Sequence, residues 1–451
     1  ARIANNTATQ SGGGIEVSNH SMLTMSGGDV SGNLSSKLGG GIHDSGADAT
    51  YDGATAKTAL SISNVTFKNN SATSGGAIYC NKSDASIEQC VFSGNCATSG
   101  NGGAIQNAGE DLTITGCTIS ANTATSNGGG LYSSGKVSLS DTSVTNNTAT
   151  TDGGGMFIYS SNGFELSGRI IVKENQAGTE DRSNLFIDHT STDAAIQKNG
   201  ALTNSEIHFG LSNYYYDDSE QNHVDKTVLS GTEDCPVIAS DVVYMYCDAT
   251  SYAAYFDSAD STIKIGSPAF TITFHANHDG SVETTTQKVV EGKYTMLRPN
   301  TFKNPGKTFV EWNTAENGTG DSYKSDIAHT FNQNKDLYAY WRPRALSSLR
   351  IESKQAEYVV GTTLTAADFT VTKVYDNGET EMVDPSDYTV APAALTAAGD
   401  VTVTITYNEQ VYPCTIKVVS APVTPVIPVT PSAPAQLPFN PDAGKTTFTD
   451  V

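Results

Sequence analysis

Apolar and polar residues alternate through the first 190 positions, and the alternation recurs. Leu60-Ser-Ile62, Ala85-Ser-Ile87, Leu112-Thr-Ile114 and Val137-Ser-Leu139 align without gaps. Alternation at period two predicts strands with one buried face. A second apolar position follows a glycine pair and falls at Ile15, Ile42, Ile78, Ile105, Leu131 and Met156. A third opens a motif that ends in asparagine: Val30–Asn33, Phe67–Asn70, Phe92–Asn95, Ile119–Asn122, Val144–Asn147 and Val172–Asn175. The spacing is 25 to 28 residues, widened once by an insertion near Asp44–Lys57. A β-rich repeat of this length, with no sustained helical period, predicts a parallel β-helix with one coil per repeat.

In such a fold like residues stack from coil to coil at about 4.8 Å. Phe67, Phe92, Ile119, Val144 and Val172 then form an inward ladder. Asn70, Asn95, Asn122, Asn147 and Asn175 form a second one, at a corner where Asn amides bond each other and αL geometry is tolerated. The glycines allow sharp turns at positive φ. Both motifs are architectural in this reading.

The paired G-G-A-[ILV] and F-x-x-N motifs resemble the repeats of chlamydial polymorphic outer-membrane proteins over residues 1–190. The resemblance implies a right-handed parallel β-helix and a surface or adhesive role. Nothing resembles the membrane β-barrel that ends those proteins, so attachment to the cell must be of another kind.

Beyond the repeats the pattern changes. Residues 191–267 keep strand-like runs (Glu206–Leu211, Val242–Tyr246, Ser261–Ile265) and carry Tyr214-Tyr-Tyr216. They read as last coils and a C-terminal cap, which solenoids require, with the tyrosines as cap packing rather than a sugar platform. Residues 268–342 hold Phe270–Phe274, Lys288–Lys293, Pro305–Trp312 and Leu337–Trp341. Their G-x-T-F-x-x-W and L-Y-A-x-W segments resemble the Listeria–Bacteroides repeat of internalin-type surface proteins. That implies a β-grasp-like module with Trp312 and Trp341 in its core; Asn277–Gly280 departs from the family's usual N-G-G turn. Residues 343–420 predict strands at Ser348–Glu352, Phe369–Tyr375, Val401–Tyr407 and Tyr412–Val419, with a turn at Asp376–Gly378. The layout resembles bacterial Ig-like β-sandwiches. In 421–451, Ala421–Pro441 has a proline near every third position and predicts a polyproline II spacer. The closing Phe448-Thr-Asp-Val451 resembles the opening of S-layer homology segments, which implies wall anchoring. The fold class expected is all-β throughout.

Charge and cysteines change the picture little. The chain has 451 residues and a formal net charge of −22, from 26 Lys+Arg against 48 Asp+Glu. Such a surface repels nucleic acid and anionic lipid, so neither nucleic-acid binding nor membrane insertion is expected. No apolar run reaches 18 residues. The chain opens at Ala1–Asn6 inside an Asn motif, which implies a fragment of a longer protein. Of seven cysteines, Cys90 and Cys117 fall at the same inward position of adjacent coils. They are expected as stacked thiols, since parallel Cβ vectors strain a disulfide. Cys235 and Cys247 could staple a hairpin, and Cys414 is a small core residue. No Cys/His spacing suggests a metal, and no cofactor is expected.

Candidate chemistry is sparse. Asp84 and Asp111 stack with Lys136 in the coil alignment, a pattern expected of turn residues. No Arg or His joins them, and no cluster of basic and acidic groups is visible on one face. His20 and His43 read as loop-surface residues. The outward array is Ser61 and Ser63, Ser86 and Glu88, Thr113 and Thr115, Ser138 and Ser140. It forms two columns of hydroxyls that can bond glycans, though outward strand positions in secreted solenoids are often simply Ser/Thr-rich. The expectation is a non-enzymatic surface adhesin or display protein. Its partners would be a protein or glycan of a host or neighbouring cell, and the bacterial wall. The alternatives are a carbohydrate-active or glycan-binding β-helix and a purely structural stalk.

The sequence predicts modules joined end to end. Small-angle scattering is expected to give a radius of gyration well above the roughly 22 Å of a compact 451-residue chain; a value near that figure contradicts a stalk.

Overall fold

The computed structural model describes residues 1–18, 21–46, 59–81, 84–109, 111–159, 163–188, 196–211 and 226–420. His20, most of the insertion after Asp44, Tyr214–Tyr216 and everything from Ala421 onward lie outside the described residues. Residues 1–342 form one compact unit and a second begins at Pro343.

The repeats form a parallel β-helix. One coil runs through the strands Ile78–Cys80, Asp84–Glu88, Val91–Ser93 and Cys96–Ala97. The next runs through Ile105–Asn107, Leu112–Thr115, Thr118–Ser120 and Thr123–Ala124. Each strand pairs in parallel with its counterpart, in the register read from the sequence: Leu60, Ala85, Leu112 and Val137 are partners in turn. Phe67, Phe92, Ile119, Val144 and Val172 are fully buried partners. The Phe67 and Phe92 rings stack at 4.8 Å, nearly coplanar. Burying such side chains contributes about 1.5–3 kcal/mol each, which makes this ladder the core of the unit.

The asparagine ladder is longer than its motif. Asn122 Oδ1 accepts from both the backbone N–H and Nδ2 of Asn95, each at 2.9 Å. Asn122 Nδ2 donates on to Asn147 Oδ1 at 2.9 Å and to the Phe92 carbonyl at 3.1 Å. The pattern starts at Asn6, passes Asn33 and Asn70, and continues through Asn175 to Asn184. It ends on Asp248, whose carboxylate accepts the Asn184 backbone N–H and Nδ2, each at 2.9 Å. Burial pushes the Asp248 carboxyl above its ordinary value, against the pull of those two bonds.

The αL residue is not the ladder asparagine but the one before it. Gly32, Asn69, Gly94, Ala121, Asn146 and Glu174 all have φ between 54° and 67°. The ladder side chain must point inward while its neighbour turns the corner, so the two tasks fall on adjacent residues. In the glycine pair, Gly102 has φ 67° and Gly103 lies so close to the next coil that a Cβ would strike the Gly129 carbonyl. The second glycine thus sets how near the coils approach.

A third inward ladder is sulfur and hydroxyl. The Val65 N–H donates to Cys90 Sγ at 3.4 Å, Cys90 N–H to Cys117 Sγ at 3.3 Å, and Cys117 N–H to Thr142 Oγ1 at 3.2 Å. Both cysteines are free thiols, and the hydrogen bond with Cys90, helped by burial, pushes Cys117 up. Here Cys serves as the acceptor that Thr142 supplies one coil on. Cys235 and Cys247 are also free, and no hairpin joins them: the strands Lys226–Gly231 and Met245–Cys247 pair with other partners. Burial raises the Cys247 thiol to about 12.

The last coils differ from expectation at Val242–Tyr246, which is not one strand. Ala239–Tyr244 is a 3-10 turn and the strand is Met245–Cys247. The cause is Asp241: it accepts the Ile238 N–H at 2.9 Å and pairs with buried Lys198 at 2.8 Å. A short apolar run cannot by itself distinguish these outcomes. Antiparallel strands Ala253–Asp257 and Thr262–Gly266 then end the parallel stack.

Residues 270–343 form a mixed five-stranded sheet in which Phe270–His275 pairs antiparallel with Thr284–Val289 and parallel with Lys335–Pro343. Trp312 is 2% exposed among Phe274, Phe302 and Phe309. Trp341 is half-buried and donates to the Ala276 carbonyl at 2.7 Å. Met296 and Ala328 pack into the β-helix core, so this module and the helix end share one interior. The second unit is a sandwich of a three-stranded and a four-stranded sheet around Tyr358, Phe369, Val403 and Ile405. Its strand Phe369–Tyr375 has the predicted bounds, and Cys414 packs against the core. Among the described residues no helix is long and apolar enough to cross a membrane.

Replacing Asn122 with Ala strands two buried donors of Asn95. It is expected to cost about 3 kcal/mol, read as a lower denaturation midpoint. Replacing Ala121 with Gly removes αL strain and is expected to stabilise by about 0.5–1 kcal/mol in the same assay.

Candidate functional site

Both predicted hydroxyl columns exist. Ser61, Ser86, Thr113 and Ser138 are partners in turn, and so are Ser63, Glu88, Thr115 and Ser140. Those of the first column lie between inward residues, those of the second follow the last inward residue before the turn, and all are exposed or half-exposed. The first column extends to Thr24 and Glu165, the second to Ser26 and Ser167. Asp84, Asp111 and Lys136 also follow one another at the strand entrance: Ala85 N–H donates to the Asp111 carbonyl and Leu112 N–H to that of Lys136, both at 2.9 Å.

The sequence alignment shows no cluster of basic and acidic groups on this face; the structure adds one such pair to it. Lys136 Nζ lies 2.6 Å from Glu165 Oε1. Ser138 Oγ and Asn199 Nδ2 each donate to Glu165 Oε2 at 2.8 Å. Glu165 stands one coil beyond the last residue in the aligned array, which is why the array missed it. Reading the column one repeat further finds it. Burial alone would raise the Glu165 carboxyl, but Lys136, Ser138 and Asn199 hold it below its ordinary value. Lys136 is raised in return, chiefly by its hydrogen bond to Glu165. A general acid or base works best near the operating pH. Glu165 is shifted the other way and both its oxygens are engaged, so the arrangement is that of a fixed ion pair.

A further column went unnoticed. The residue after each glycine-pair apolar position points outward: Glu16, His43, Tyr79, Gln106, Tyr132, Phe157 and Phe186 are partners in turn. His43 is therefore not a loop-surface residue. It sits in the strand Ile42–Asp44, is 7% exposed, pairs with Glu16 at 2.8 Å and packs on Tyr79 at 5.5 Å. The stack of its coil between two others buries it. Tyr132 and Phe157 stack at 5.1 Å, and Arg182 lies 4.8 Å over Phe186. Tyr79 and Tyr132 are half-exposed, and burial raises both phenols, which keeps them neutral donors. Between them Gln106 is 9% exposed, and its Oε1 has no hydrogen-bond partner. Two aromatic rings flank an acceptor with spare capacity. The signal in the sequence was the aromatic residue one place after the apolar position, at Tyr79, Tyr132 and Phe157.

Hydroxyl and aromatic columns occupy neighbouring strands of the same coils, so the lateral surface carries polar and stacking groups in parallel lines. Among the described residues no three His, Cys, Asp or Glu side chains group as a metal site would.

Comparison with known families agrees with this architecture. Residues 64–81 and 89–108 match the Chlamydia polymorphic membrane protein repeat. Residues 270–340 match the Listeria-Bacteroides repeat domain, and 351–423 the bacterial Ig-like domain, group 3. No curated protein matches the chain. These modules are typical of bacterial cell-surface proteins.

Glu165 has a depressed carboxyl, so its ion pair stabilises the fold above its unfolded pKa, near 4.5, and that stability is lost as pH falls through the folded value. Glu165→Gln is expected to be less stable than the wild type at pH 7 and to match it in strong acid, in thermal melts across pH.

Proposed function

We propose that the protein is a non-enzymatic adhesin or display protein of a bacterial surface, with the lateral faces of the β-helix as its binding surface. The observation that carries this is the joining of two surface-type modules to a β-helix whose repeats match a third such family and which is lined by ordered outward columns. Stacked hydroxyls beside half-exposed tyrosines suit a glycan or a protein of a host or neighbouring cell, since aromatic faces and hydroxyl donors together recognise both. The engaged, depressed Glu165 supports binding rather than turnover. Attachment to the wall would run through the proline-rich segment Ala421–Pro441 and the S-layer-like Phe448–Val451.

Binding of the purified chain to a glycan array and to epithelial or bacterial cells tests the reading. Tyr132→Ala is expected to weaken binding roughly 10- to 30-fold, the effect of losing a central aromatic contact. Thr113→Ala with Thr115→Ala is expected to weaken it less. Turnover of any glycan that disappears in Asp84→Asn or Asp111→Asn would overturn the non-enzymatic reading.

A further inference from the structure

Where the β-helix ends, a cavity of about 370 Å³ opens between its last strands and the sheet of residues 270–343, within the first compact unit. That is the small end of the roughly 300–1,000 Å³ range of ligand pockets. Tyr246, Phe302 and Trp312 supply aromatic walls, and Thr286 and Asn204 supply hydrogen-bonding groups.

Arg298 is the distinctive member. Its guanidinium lies 3.5 Å over the Tyr246 ring and makes no ion pair among the described residues. Burial pushes it below the usual guanidinium value. The nearest acid on the wall, Glu206, is already engaged: Lys173 reaches it at 2.9 Å and His208 at 3.2 Å. His208 stacks on the far side of the chain of contacts, 4.7 Å from the Tyr246 ring. Tyr246 is thus fixed by His208, and Arg298 is fixed by Tyr246. Among the described residues this positive charge has no ion-pair partner, only the longer-range pull of Glu206, in a chain whose net charge is −22. A second orphan lines the same cavity: Trp312, 2% exposed, has an indole N–H with no acceptor. A buried donor left without an acceptor is costly unless a ligand satisfies it, and the part-exposed guanidinium beside it is open to one.

We propose that this cavity binds a carboxylated sugar residue, with its carboxylate on Arg298 and its ring against the aromatic walls. A guanidinium offers a planar fork of donors that a carboxylate fills with two bonds. With the Tyr246 ring taken up by Arg298 and His208, Phe302 and Pro299 give the apolar wall for a pyranose, and the threonine and asparagine groups meet its hydroxyls. A short aliphatic acid would satisfy the charge alone, and a neutral sugar the walls alone. The site is separate from the lateral columns and stands whether or not those bind.

The test uses the whole chain. Methyl glucuronide, methyl glucoside and acetate are titrated by calorimetry and by following the two tryptophan indole N–H resonances. Methyl glucuronide is expected to bind at least tenfold more tightly than either other probe and to move the Trp312 resonance. The Trp341 indole, bonded to the Ala276 carbonyl, should stay in place and serves as the internal control. Arg298→Gln is expected to weaken methyl glucuronide about tenfold or more and to leave methyl glucoside unchanged; Arg298→Lys should restore part of the loss. Equal binding of the three probes, no binding of the glucuronide, or an unmoved Trp312 resonance in the wild type would overturn the proposal. The wild-type resonance decides the matter even where a variant fails to fold.

Discussion

Every coil of the β-helix must meet the next at the same height, with the same residue in the same place. This register is the constraint on which the rest depends. Backbone N–H groups of one coil donate to carbonyls of the next, so a slip of one residue would turn every side chain to the opposite face. The asparagine ladder locks the register at one corner. Each ladder Oδ1 takes two donors from the coil before it, as Asn122 does from Asn95. Full burial makes each of these bonds expensive to lose. The close approach at Gly103 locks the coils again at the glycine pair.

Register also shapes the surface. Because inward residues stack, outward residues stack as well, and a choice made once per repeat becomes a line along the molecule. That is how Ser86, Thr113 and Ser138 form a column, and how Tyr79, Gln106 and Tyr132 form another. The same geometry brings Lys136 and Glu165 to 2.6 Å although 29 residues separate them. A solenoid therefore builds extended, repetitive faces more readily than the enclosed, asymmetric clusters that catalysis needs. The cavity at Arg298 arises where the repetition stops, at the junction with the following sheet.

The ends of the ladder show how the repeat is closed. Asp248 replaces asparagine and accepts two donors without needing to pass any on. Lys198 and Asp241, each almost wholly buried, pair at 2.8 Å and turn the chain into a short 3-10 segment instead of a strand. The antiparallel strand Thr262–Gly266 then covers the edge of the strand Lys226–Gly231. The following sheet adds Met296 to the same core.

How much of this was legible follows from what repetition encodes. The Phe67–Val172 ladder, the Asn70–Asn175 ladder, both hydroxyl columns and the strand Phe369–Tyr375 were all readable, since period and spacing alone place such residues on one face. The identity of the αL residue was not, because the motif shows that a corner exists but not which of two adjacent residues turns it. His43 was misplaced for a related reason: burial comes from the coils on either side of it, not from its own neighbours in the chain. Glu165 and Asp248 escaped because each takes a ladder position where the residue type changes, Glu165 within its column and Asp248 at the end of the asparagine ladder. Val242–Tyr246 escaped because an apolar run has no period of its own, and its shape came from a buried ion pair with distant Lys198. Arg298 was invisible to the sequence altogether, since its lack of a counterion is a fact about space. Local pattern determined which residues face inward and which coil meets which. Only the tertiary structure decided which charges are paired, because pairing depends on distances between segments far apart in the chain.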